Sequence, residues 1–245
     1  MLDVKGKWCF ITGASRGVGR QIALCMAEHG ANLILHSRSA AHTEKVLSEA
    51  AKFGIEAFAV EAELSKPDDV AAMLQKIEKN GKNVEIVFND AGVQIAYRQE
   101  YFKTPVEDFT QSFLINTIAP ALICYHFLPK MIARGFGRII NTTSGIRKEP
   151  QQAGYSASKA ALDKFTTDLA SVTNGTDVII SLADPGWIRT DLGGPNAPGA
   201  VESCLPAMVI GAFVNDKKSG RLFPAPSFHG MTLEQAVLAA EKGSN

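Results

Sequence analysis

Short apolar runs alternate with longer segments of helical periodicity along most of this chain. The apolar runs have the length of buried strands and lie at residues 8–12, 32–36, 57–60, 84–89, 137–142 and 178–183. The segments with helical periodicity between them are 17–29, 41–53, 67–80, 106–134 and 155–173. Strands and helices in repeated alternation indicate βαβ units. The pattern therefore predicts an α/β fold, a doubly wound parallel sheet with helices on both faces.

No linker rich in proline, glycine or serine divides the 245 residues, and the sequence contains no internal repeat. We therefore predict a single domain over residues 1–245. In open parallel sheets, ligands bind beyond the carboxyl ends of the strands. Motifs that follow the predicted strands are therefore the candidates for a functional site.

The composition argues against several classes of function. Twenty-five basic and twenty-five acidic residues cancel, so we expect no nucleic acid and no membrane as partner. The cysteines at positions 9, 25, 124 and 204 form no C-x-x-C or Cys/His cluster, which argues against a metal site or a disulfide framework. The first residues hold too short an apolar run for a signal peptide, and no apolar stretch approaches the ~18–20 residues that span a bilayer. The expected location is cytoplasmic.

A glycine-rich turn, TGASRGVG at residues 12–19, follows the first predicted strand and opens a helix. Glycine lets the backbone approach a ligand closely, and the unpaired N–H groups of a helix N-terminus bind phosphate. The spacing G-x-x-x-G-x-G differs from both the G-x-G-x-x-G fingerprint and the P-loop. We favour nucleotide binding over a tight βα turn without a ligand. The candidate contacts are Gly13, Ser15, Arg16, Gly17, Val18 and Gly19.

The end of the second predicted strand indicates which nucleotide binds. NAD-specific sites place a carboxylate there for the ribose 2′-hydroxyl, whereas a 2′-phosphate is bound by arginine. Here the strand ends in His36, Ser37 and Arg38 without a carboxylate, and Arg16 of the glycine turn is close enough in sequence to converge on the same place. NADP(H) is therefore favoured over NAD, with Ser37 and Arg38 as contacts. The alternative is a pair of solvated surface arginines.

Tyr155 and Lys159 lie about one helical turn apart, so their side chains leave the same face of a helix. A neighbouring ammonium group lowers the pKa of tyrosine, which makes Tyr155 a candidate proton donor. Asn116 lies in the predicted helix 106–134, four residues before Pro120. Proline has no N–H and its ring crowds the carbonyl four residues before it, so we expect a kink and a free carbonyl at Asn116. The alternative is a proline kink with a capped or solvated polar residue.

Taken together, these motifs resemble the short-chain dehydrogenase/reductase family over about residues 6–191. The matching stretches follow the family's order and come close to its spacing: TGASRGVG, NDAG at 89–92, Asn116, Ser144, YSASK at 155–159 and DPGWIRTD at 184–191. The resemblance implies a single Rossmann-type domain, a nicotinamide cofactor and hydride transfer to or from a carbonyl or alcohol carbon. It also implies a homotetramer or homodimer built partly on the long helices after residues 106 and 155.

The resemblance also implies a role for each catalytic residue. Tyr155 is the general acid that protonates the carbonyl oxygen, and Lys159 lowers the pKa of Tyr155 and holds the ribose hydroxyls of the cofactor. Ser144 hydrogen-bonds the substrate oxygen. The loop 145–154 is short for the family, which leaves the neighbouring threonines at positions 142 and 143 as alternatives to Ser144. Asn116 holds a water molecule that links Lys159 to solvent.

Further cofactor contacts follow from the same resemblance. They are Asn89, Ala91 and Gly92 on the adenosine side, Glu63 and Leu64 near adenine, and Pro185, Gly186, Ile188 and Thr190 at the nicotinamide carboxamide. Asp90 departs from the family, which more often has asparagine there, and Glu63 stands in place of an aspartate. At Pro185-Gly186 the alternative is a plain turn.

The sequence of the C-terminal part indicates which segment covers the substrate. Residues 191–215, with an apolar helix at 201–214, look like a mobile lid, an arrangement that resembles the carbonyl-reductase-like members of the family. The residues expected to line the substrate pocket are Gln94, Ile146, Gln152 and Trp187. Arg147 and Lys148 either attract an anionic substrate or belong to a solvated loop.

The leading hypothesis is an NADPH-dependent oxidoreductase that transfers a hydride between nicotinamide and a small-molecule carbonyl or secondary alcohol. Tyr155 is its general acid or base. One alternative is an NAD-linked sugar or hydroxysteroid dehydrogenase, and another is a dinucleotide-sensing protein without catalysis. The combination of Asn116, Ser144, Tyr155 and Lys159 argues against the sensor, because sensing requires no proton donor.

Overall fold

The structure, a computed structural model, describes residues 1–243 and contains a sheet of seven parallel strands. The strands are β1 (Trp8–Ile11), β2 (Asn32–Ser37), β3 (Ala57–Glu61), β4 (Val84–Asn89), β5 (Gly137–Thr142), β6 (Val178–Asp184) and β7 (Leu222–Pro224). Their order across the sheet is β3-β2-β1-β4-β5-β6-β7. The chain changes direction across the sheet between β1 and β4, and such a reversal opens a crevice at the carboxyl ends of the two strands.

Helices cover both faces of this sheet, which confirms the predicted fold class. They are α1 (Gly17–Glu28), α2 (Glu44–Ala50), α3 (Pro67–Lys79), α4 (Val106–Phe113), α5 (Ala119–Arg134), α6 (Ala153–Ala170), α7 (Ala207–Phe213) and α8 (Leu233–Lys242). Helices α1, α2, α7 and α8 pack on one face, and α3, α5 and α6 pack on the other. In β1, Cys9 and Ile11 join the first of these cores, whereas Trp8 and Phe10 join the second. The strands are mostly apolar because both of their faces are buried.

The strand register brings the carboxyl ends of the central strands to one edge of the sheet. Ile11 of β1 pairs with Phe88 of β4, and Thr142 of β5 pairs with Ala183 of β6. The segments that follow β1, β4, β5 and β6 therefore meet at this edge. It is the edge that holds the motifs predicted to form the site.

The predicted helix over 106–134 is interrupted. A π turn at Leu114–Ile118 separates α4 from α5. Pro120 has no N–H to donate to the carbonyl of Asn116, so regular α-helical bonding cannot continue through this point. The irregularity expected from Pro120 is present as this π turn, with Asn116 at its centre and fully buried.

The same run, Val106–Arg134, is apolar enough by length and composition alone to cross a membrane, with a mean hydropathy of 1.3 over 18 residues. The prediction that no stretch reaches this length is therefore wrong. Within the molecule, 44% of that window is buried. Ile123, Phe127 and Met131 of α5 pack into the core against the sheet, and helices buried in a protein core show the same apolar composition.

The predicted helix at 201–214 is two elements in the structure, a short 3₁₀ turn at Val201–Cys204 followed by α7. Every residue of α7 is buried, and a Cβ on Gly211 would lie 2.4 Å from Ser181 Oγ of β6. The helix α7 is therefore packed into the core, and the role of 191–215 as a lid stays a prediction. An apolar helix of this length has the same sequence pattern in a lid and in a core.

Candidate active site

The glycine turn is packed against the loop that follows β4. A Cβ on Gly13 would lie 2.9 Å from the Cα of Ala91, and a Cβ on Gly19 would lie 2.4 Å from the carbonyl oxygen of Gly13. Thr12 Oγ1 accepts hydrogen bonds of 3.0 Å from the N–H groups of both Asp90 and Ala91. Side chains are thereby excluded from a cradle at the N-terminus of α1, where backbone N–H groups suit a phosphate.

His36, whose side chain the sequence analysis did not consider, supports this turn from β2. The N–H of Gly13 lies 3.4 Å from Nδ1 of His36, and the carbonyl oxygen of Ala62 lies 3.2 Å from Nε2. Burial lowers the pKa of His36 to about 4, so the ring is neutral at pH 7. A neutral ring that accepts at Nδ1 and donates from Nε2 satisfies both partners and fixes the turn against the end of β3.

The two arginines expected at a 2′-phosphate differ in their contacts. Arg38 is exposed and, among residues 1–243, has no acidic partner, whereas Arg16 forms an exposed 2.9 Å ion pair with Asp191. Ser37 is buried and donates to the carbonyl of Ser39. A carboxylate does lie beside the end of β2, because Glu61 of β3 pairs in register with Ser37. The sequence of β2 alone does not reveal this carboxylate, because it belongs to the neighbouring strand β3.

Asn89, which was expected on the adenosine side of the cofactor, makes a hydrogen bond within the sheet. It is buried, and its Nδ2 donates to Asn141 Oδ1 at 2.8 Å, while Asn141 Nδ2 donates to Thr166 Oγ1 at 2.8 Å. Asn89 is the last residue of β4, and the alternation of the strand turns its side chain toward α5 and α6. Its side chain therefore joins β4 to β5.

The other residues expected on the adenosine side differ in exposure. Gly92 is exposed, and a Cβ there would lie 3.4 Å from Asn116 Oδ1 and 3.6 Å from Lys159 Nζ. Glu63 accepts from the N–H of Ser65 at 3.2 Å, which shapes the loop after β3. Ala91, Ser15 and Val18 are half-buried, and Leu64 is buried in the core.

Tyr155 and Lys159 are both buried on the first turns of α6, at the carboxyl edge of the sheet. Lys159 Nζ donates to the carbonyl oxygen of Thr142 at 2.6 Å. Burial lowers the pKa of Lys159 to about 8, while Asp90, Asp163 and Asp184 act in the opposite direction. The lysine is thus mostly protonated at pH 7 and is held by the end of β5.

The pKa of Tyr155 is raised, not lowered as the spacing to Lys159 predicted. Burial of the phenol is the main cause, Asp184 and Asp90 add to it, and a hydrogen bond with Ser144 acts against it. The prediction is wrong for this arrangement because the ammonium of Lys159 is directed to the carbonyl of Thr142. A raised pKa keeps the phenol protonated at neutral pH, the form that donates a proton.

Three hydroxyl groups lie in a row at the end of β5. Thr142 Oγ1 donates to Asp90 Oδ1 at 2.8 Å, and Thr143 Oγ1 donates to the carboxylate of Asp163. Ser144 Oγ accepts a 3.3 Å hydrogen bond from the N–H of Ile146 and lies beside the phenol of Tyr155. Of the three hydroxyl groups, that of Ser144 is the one that acts on the pKa of Tyr155.

Asn116 is held through its side chain. Its Oδ1 accepts from the N–H of Val93 at 2.8 Å, and its Nδ2 donates to the carbonyl oxygen of Val93 at 2.9 Å and to Ser158 Oγ at 3.0 Å. The residue therefore fixes the loop after β4 against α6, next to the turn that carries Tyr155 and Lys159. Its expected link to a water relay stays a prediction.

The segment after β6 returns to the glycine turn. Asp184 Oδ1 accepts from the N–H of Gly186 at 2.9 Å, which shapes a turn in which Gly186 has φ +71°. Thr190 lies against the glycine turn, since a Cβ on Gly17 would be 3.6 Å from Thr190 Cγ2. Ile188 is buried, and Pro185 is half-buried beside the turn. The glycine turn and the Pro185-Gly186 segment thus face the same crevice.

Comparison with known proteins decides the family. A family model described as short chain dehydrogenase matches residues 7–199. The chain is a short-chain dehydrogenase. The matched region contains the glycine turn, Asn116, Ser144, Tyr155 and Lys159, so the site described above lies wholly within the family match.

Individual relatives of this short-chain dehydrogenase include enzymes with named activities. Tetrahydroxynaphthalene reductase PfmaG from Pestalotiopsis fici is 35% identical over 194 residues, which are 76% of this chain and 68% of the relative. A metagenomic short-chain oxidoreductase solved in complex with NADP is 31% identical, with a TM-score of 0.69 over 75% of this chain and 84% of that one. A 3-oxoacyl (acyl-carrier-protein) reductase from Agrobacterium tumefaciens has a TM-score of 0.83 over 90% and 93% of the two chains at 23% identity. With the family match, these relatives identify the short-chain dehydrogenase as an oxidoreductase.

The residues expected to line the substrate pocket do not all face it. Gln152 is buried, and its Nε2 donates to the carbonyl of Ile95 at 3.1 Å, so it shapes the pocket wall. Trp187 is 63% exposed, with Nε1 bonded to the carbonyl of Gly193 at 2.9 Å. Gln94 and Ile146 are half-buried, and Arg147 and Lys148 are exposed.

Sequence reasoning missed two carboxylates of this short-chain dehydrogenase, those of Asp163 and Asp184. Both favour the protonated form of Lys159, and Asp184 also raises the pKa of Tyr155. Two signals in the sequence were available. Asp163 follows Lys159 by one helical turn, and Asp184 ends a predicted strand at the edge where ligands bind.

Proposed function

We propose that this short-chain dehydrogenase is an NADPH-dependent carbonyl reductase of a small molecule, reversible as a secondary-alcohol dehydrogenase. The observation that carries the proposal is the convergence of Ser144, Tyr155 and Lys159 beside the glycine turn. The turn fits a dinucleotide because Gly13 and Gly19 let its backbone pack tightly at the N-terminus of α1, where N–H groups bind a phosphate. A nicotinamide bound in this crevice supplies the hydride.

The residues of the chain supply the proton and orient the oxygen. The phenol of Tyr155 is protonated at neutral pH and donates its proton to the carbonyl oxygen, while Ser144 Oγ donates a hydrogen bond to the same oxygen. Lys159, which is mostly protonated and is held by the carbonyl of Thr142, binds the ribose hydroxyls of the cofactor. Burial of Tyr155 and Lys159 strengthens these interactions by excluding water.

Preference for NADPH is supported by Arg38, which is exposed at the end of β2 and has no acidic partner among residues 1–243. The related metagenomic oxidoreductase was solved in complex with NADP, which also supports a preference for NADPH. A second candidate, an NAD-linked dehydrogenase, is favoured by Glu61, whose carboxylate lies next to Ser37 and accepts from the N–H of Ala40 at 3.2 Å. We rank it second because that acceptor is already bonded to the backbone.

The proposal includes a homodimer or homotetramer that associates through α5 and α6. Tyr125 of α5 is 61% exposed and packs edge-to-face on Phe165 of α6, with ring centroids 5.6 Å apart. An exposed tyrosine that packs on a half-buried phenylalanine of the next long helix is typical of an interface. The cytoplasmic location expected from the sequence stays a prediction.

The test is reduction of a panel of aldehydes and ketones with NADPH and with NADH. We expect turnover with NADPH, and we expect Arg38→Ala to raise the KM for NADPH about tenfold or more while leaving the KM for NADH nearly unchanged, because one charge-assisted contact to phosphate is worth ~1.5–3 kcal/mol. Lys45→Ala, which removes an exposed cation from α2, is the matched control.

Two outcomes would contradict the proposal in different ways. Equal effects of Arg38→Ala on both cofactors would remove the 2′-phosphate assignment and favour the NAD-linked dehydrogenase. Tight binding of a dinucleotide without turnover of any carbonyl or alcohol would favour the sensing protein instead.

A further inference from the structure

The carboxylate of Asp90 connects the glycine turn to the catalytic lysine. Its Oδ1 accepts from Thr142 Oγ1 at 2.8 Å, and the carbonyl of the same Thr142 holds Lys159 Nζ at 2.6 Å. Its Oδ2 lies against Gly19, where a Cβ would be 3.0 Å away. The carboxylate of Asp90 thus lies against the first turn of α1.

The groups around Asp90 supply little positive charge to balance that of its carboxylate. Lys159 of α6 is the cation that faces it, and the carboxylates of Asp163 and Asp184 also act on that lysine. The remaining neighbours are neutral at pH 7: the phenol of Tyr155, and the buried thiol of Cys204 in the 3₁₀ turn after β6, whose pKa is raised to about 12. Burial raises the pKa of Asp90 to about 6.

Binding of a phosphate at the same turn changes this balance. The N–H groups at the N-terminus of α1 are the donors that a pyrophosphate requires, and the carboxylate of Asp90 lies beside Gly19 in the same turn. A pyrophosphate carries negative charge into the space beside a partly buried carboxylate. Like charges at short range in a poorly solvated site repel strongly, and protonation of the carboxyl group removes that repulsion.

We propose that Asp90 is a cofactor-binding residue that takes up a proton from solvent when a dinucleotide binds at the glycine turn. The proposal rests on the proposed dinucleotide site. The reaction is the addition of one proton to the carboxylate, and Thr142 Oγ1 can donate to either form of the acid. Asp90 therefore links affinity for the cofactor to pH, a property separate from hydride transfer.

The direction of the linkage follows from the sign of the pKa change. In the free protein Asp90 is mostly ionised above pH 6, and a bound anion raises its pKa further. Between these two pKa values the complex holds one more proton than the free protein, so affinity falls about tenfold for each unit of increase in pH. Below pH 6 the acid is already protonated and affinity is independent of this group.

The experiment is calorimetric titration of the full chain with NADP⁺ at pH 7, in buffers with different ionisation enthalpies, which gives the number of protons taken up. Asp90→Asn is the comparison, because the amide is uncharged, has nearly the same shape and can still hydrogen-bond to Thr142, whose hydroxyl donates or accepts. The 2′-phosphate of NADP⁺ titrates near pH ~6, and it contributes equally to both proteins. Repeating the titration with NAD⁺ removes that contribution.

We expect the wild-type protein to take up nearly one more proton than Asp90→Asn, with either ligand. Between pH 6.5 and 7.5 the Kd should rise about tenfold for the wild type relative to the variant. Circular dichroism and the unfolding temperature establish that the variant is folded. Carbon-13 NMR of the Asp90 carboxyl in the wild type provides a second measurement, with an expected upward shift of the titration midpoint on binding.

The possible failures are distinguishable. Equal proton uptake by the folded variant and the wild type, or an NMR midpoint that does not move, overturns the role of Asp90 while leaving the dinucleotide site intact. Absence of binding by both proteins at every pH overturns the proposed function, and the coupling with it.

Discussion

At the scale of single residues, neighbouring side chains of one type have different roles because the strand turns them in different directions. Thr142 points toward α1 and bonds to Asp90, whereas Thr143 points toward α6 and bonds to Asp163. Ser144 lies beyond the strand, beside Tyr155. The sequence predicted the group of three but could not select its member, because the choice depends on the register of β5 against β6.

Tyr155→Phe tests the proton donor by removing one hydroxyl and keeping a buried ring. A positioned acid contributes ~10²–10⁴-fold, so we expect kcat for carbonyl reduction to fall by about that factor. The Kd for NADPH should change little, because the ring is 7% exposed and fills the same space in both proteins. Steady-state kinetics and calorimetry measure the two quantities. Retention of most of the activity would exclude Tyr155 as the acid.

At the scale of elements, the sequence predicted six of the seven strands. The bounds predicted for β1 to β6 agree with the structure to within a residue, because each is a short apolar run between polar neighbours. The strand β7 was missed: it has only three residues, and its Leu222 is 48% exposed. The helix predicted at 201–214 is a 3₁₀ turn followed by the shorter α7, because apolar composition alone does not locate the break between them.

Gly211→Ala tests whether α7 is part of the core. A Cβ at this position would lie 2.4 Å from Ser181 Oγ and 2.7 Å from Ile140 Cγ1. Overpacking of this kind costs about 1–3 kcal/mol, so we expect the midpoint of urea unfolding to fall. Leu238→Ala, at a 51% exposed position of α8, is the control and should have a much smaller effect. A mobile lid would instead give an unchanged midpoint and an altered KM.

At the scale of the whole molecule, the edges formed by the carboxyl ends and by the amino ends of the strands have different roles. The carboxyl edge carries the glycine turn and the polar residues of the site. The amino edge carries two buried arginines, Arg138 with Asp177 and Arg221 with Asp216, at 2.8 and 2.7 Å. The alternating pattern predicted the sheet and its functional edge. It could not predict these pairs, because arginine is mostly exposed and one partner lies 39 residues away.

Arg221 holds the last strand and helix to the rest of the sheet. Its guanidinium group bonds to both carboxylate oxygens of Asp216 and to the carbonyl oxygen of Ala240 in α8. Arg221→Leu leaves Asp216, which is 15% exposed, without its cation. Loss of one partner of a buried pair costs about 3 kcal/mol or more, so we expect a large fall in the free energy of unfolding, measured by urea denaturation.

The double variant Arg221→Leu/Asp216→Leu removes the unpaired charge as well, and it should recover much of that loss because apolar replacements of a buried pair are often nearly neutral. Both variants should keep the kcat of the folded enzyme, since the pair lies at the amino edge, away from Tyr155 and Lys159. A double variant that recovers none of the lost stability would show that the unpaired charge of Asp216 does not cause the loss, and would favour the lost hydrogen bond to Ala240 as its cause. A fall in kcat of the folded protein would instead show that the two edges of the sheet are coupled.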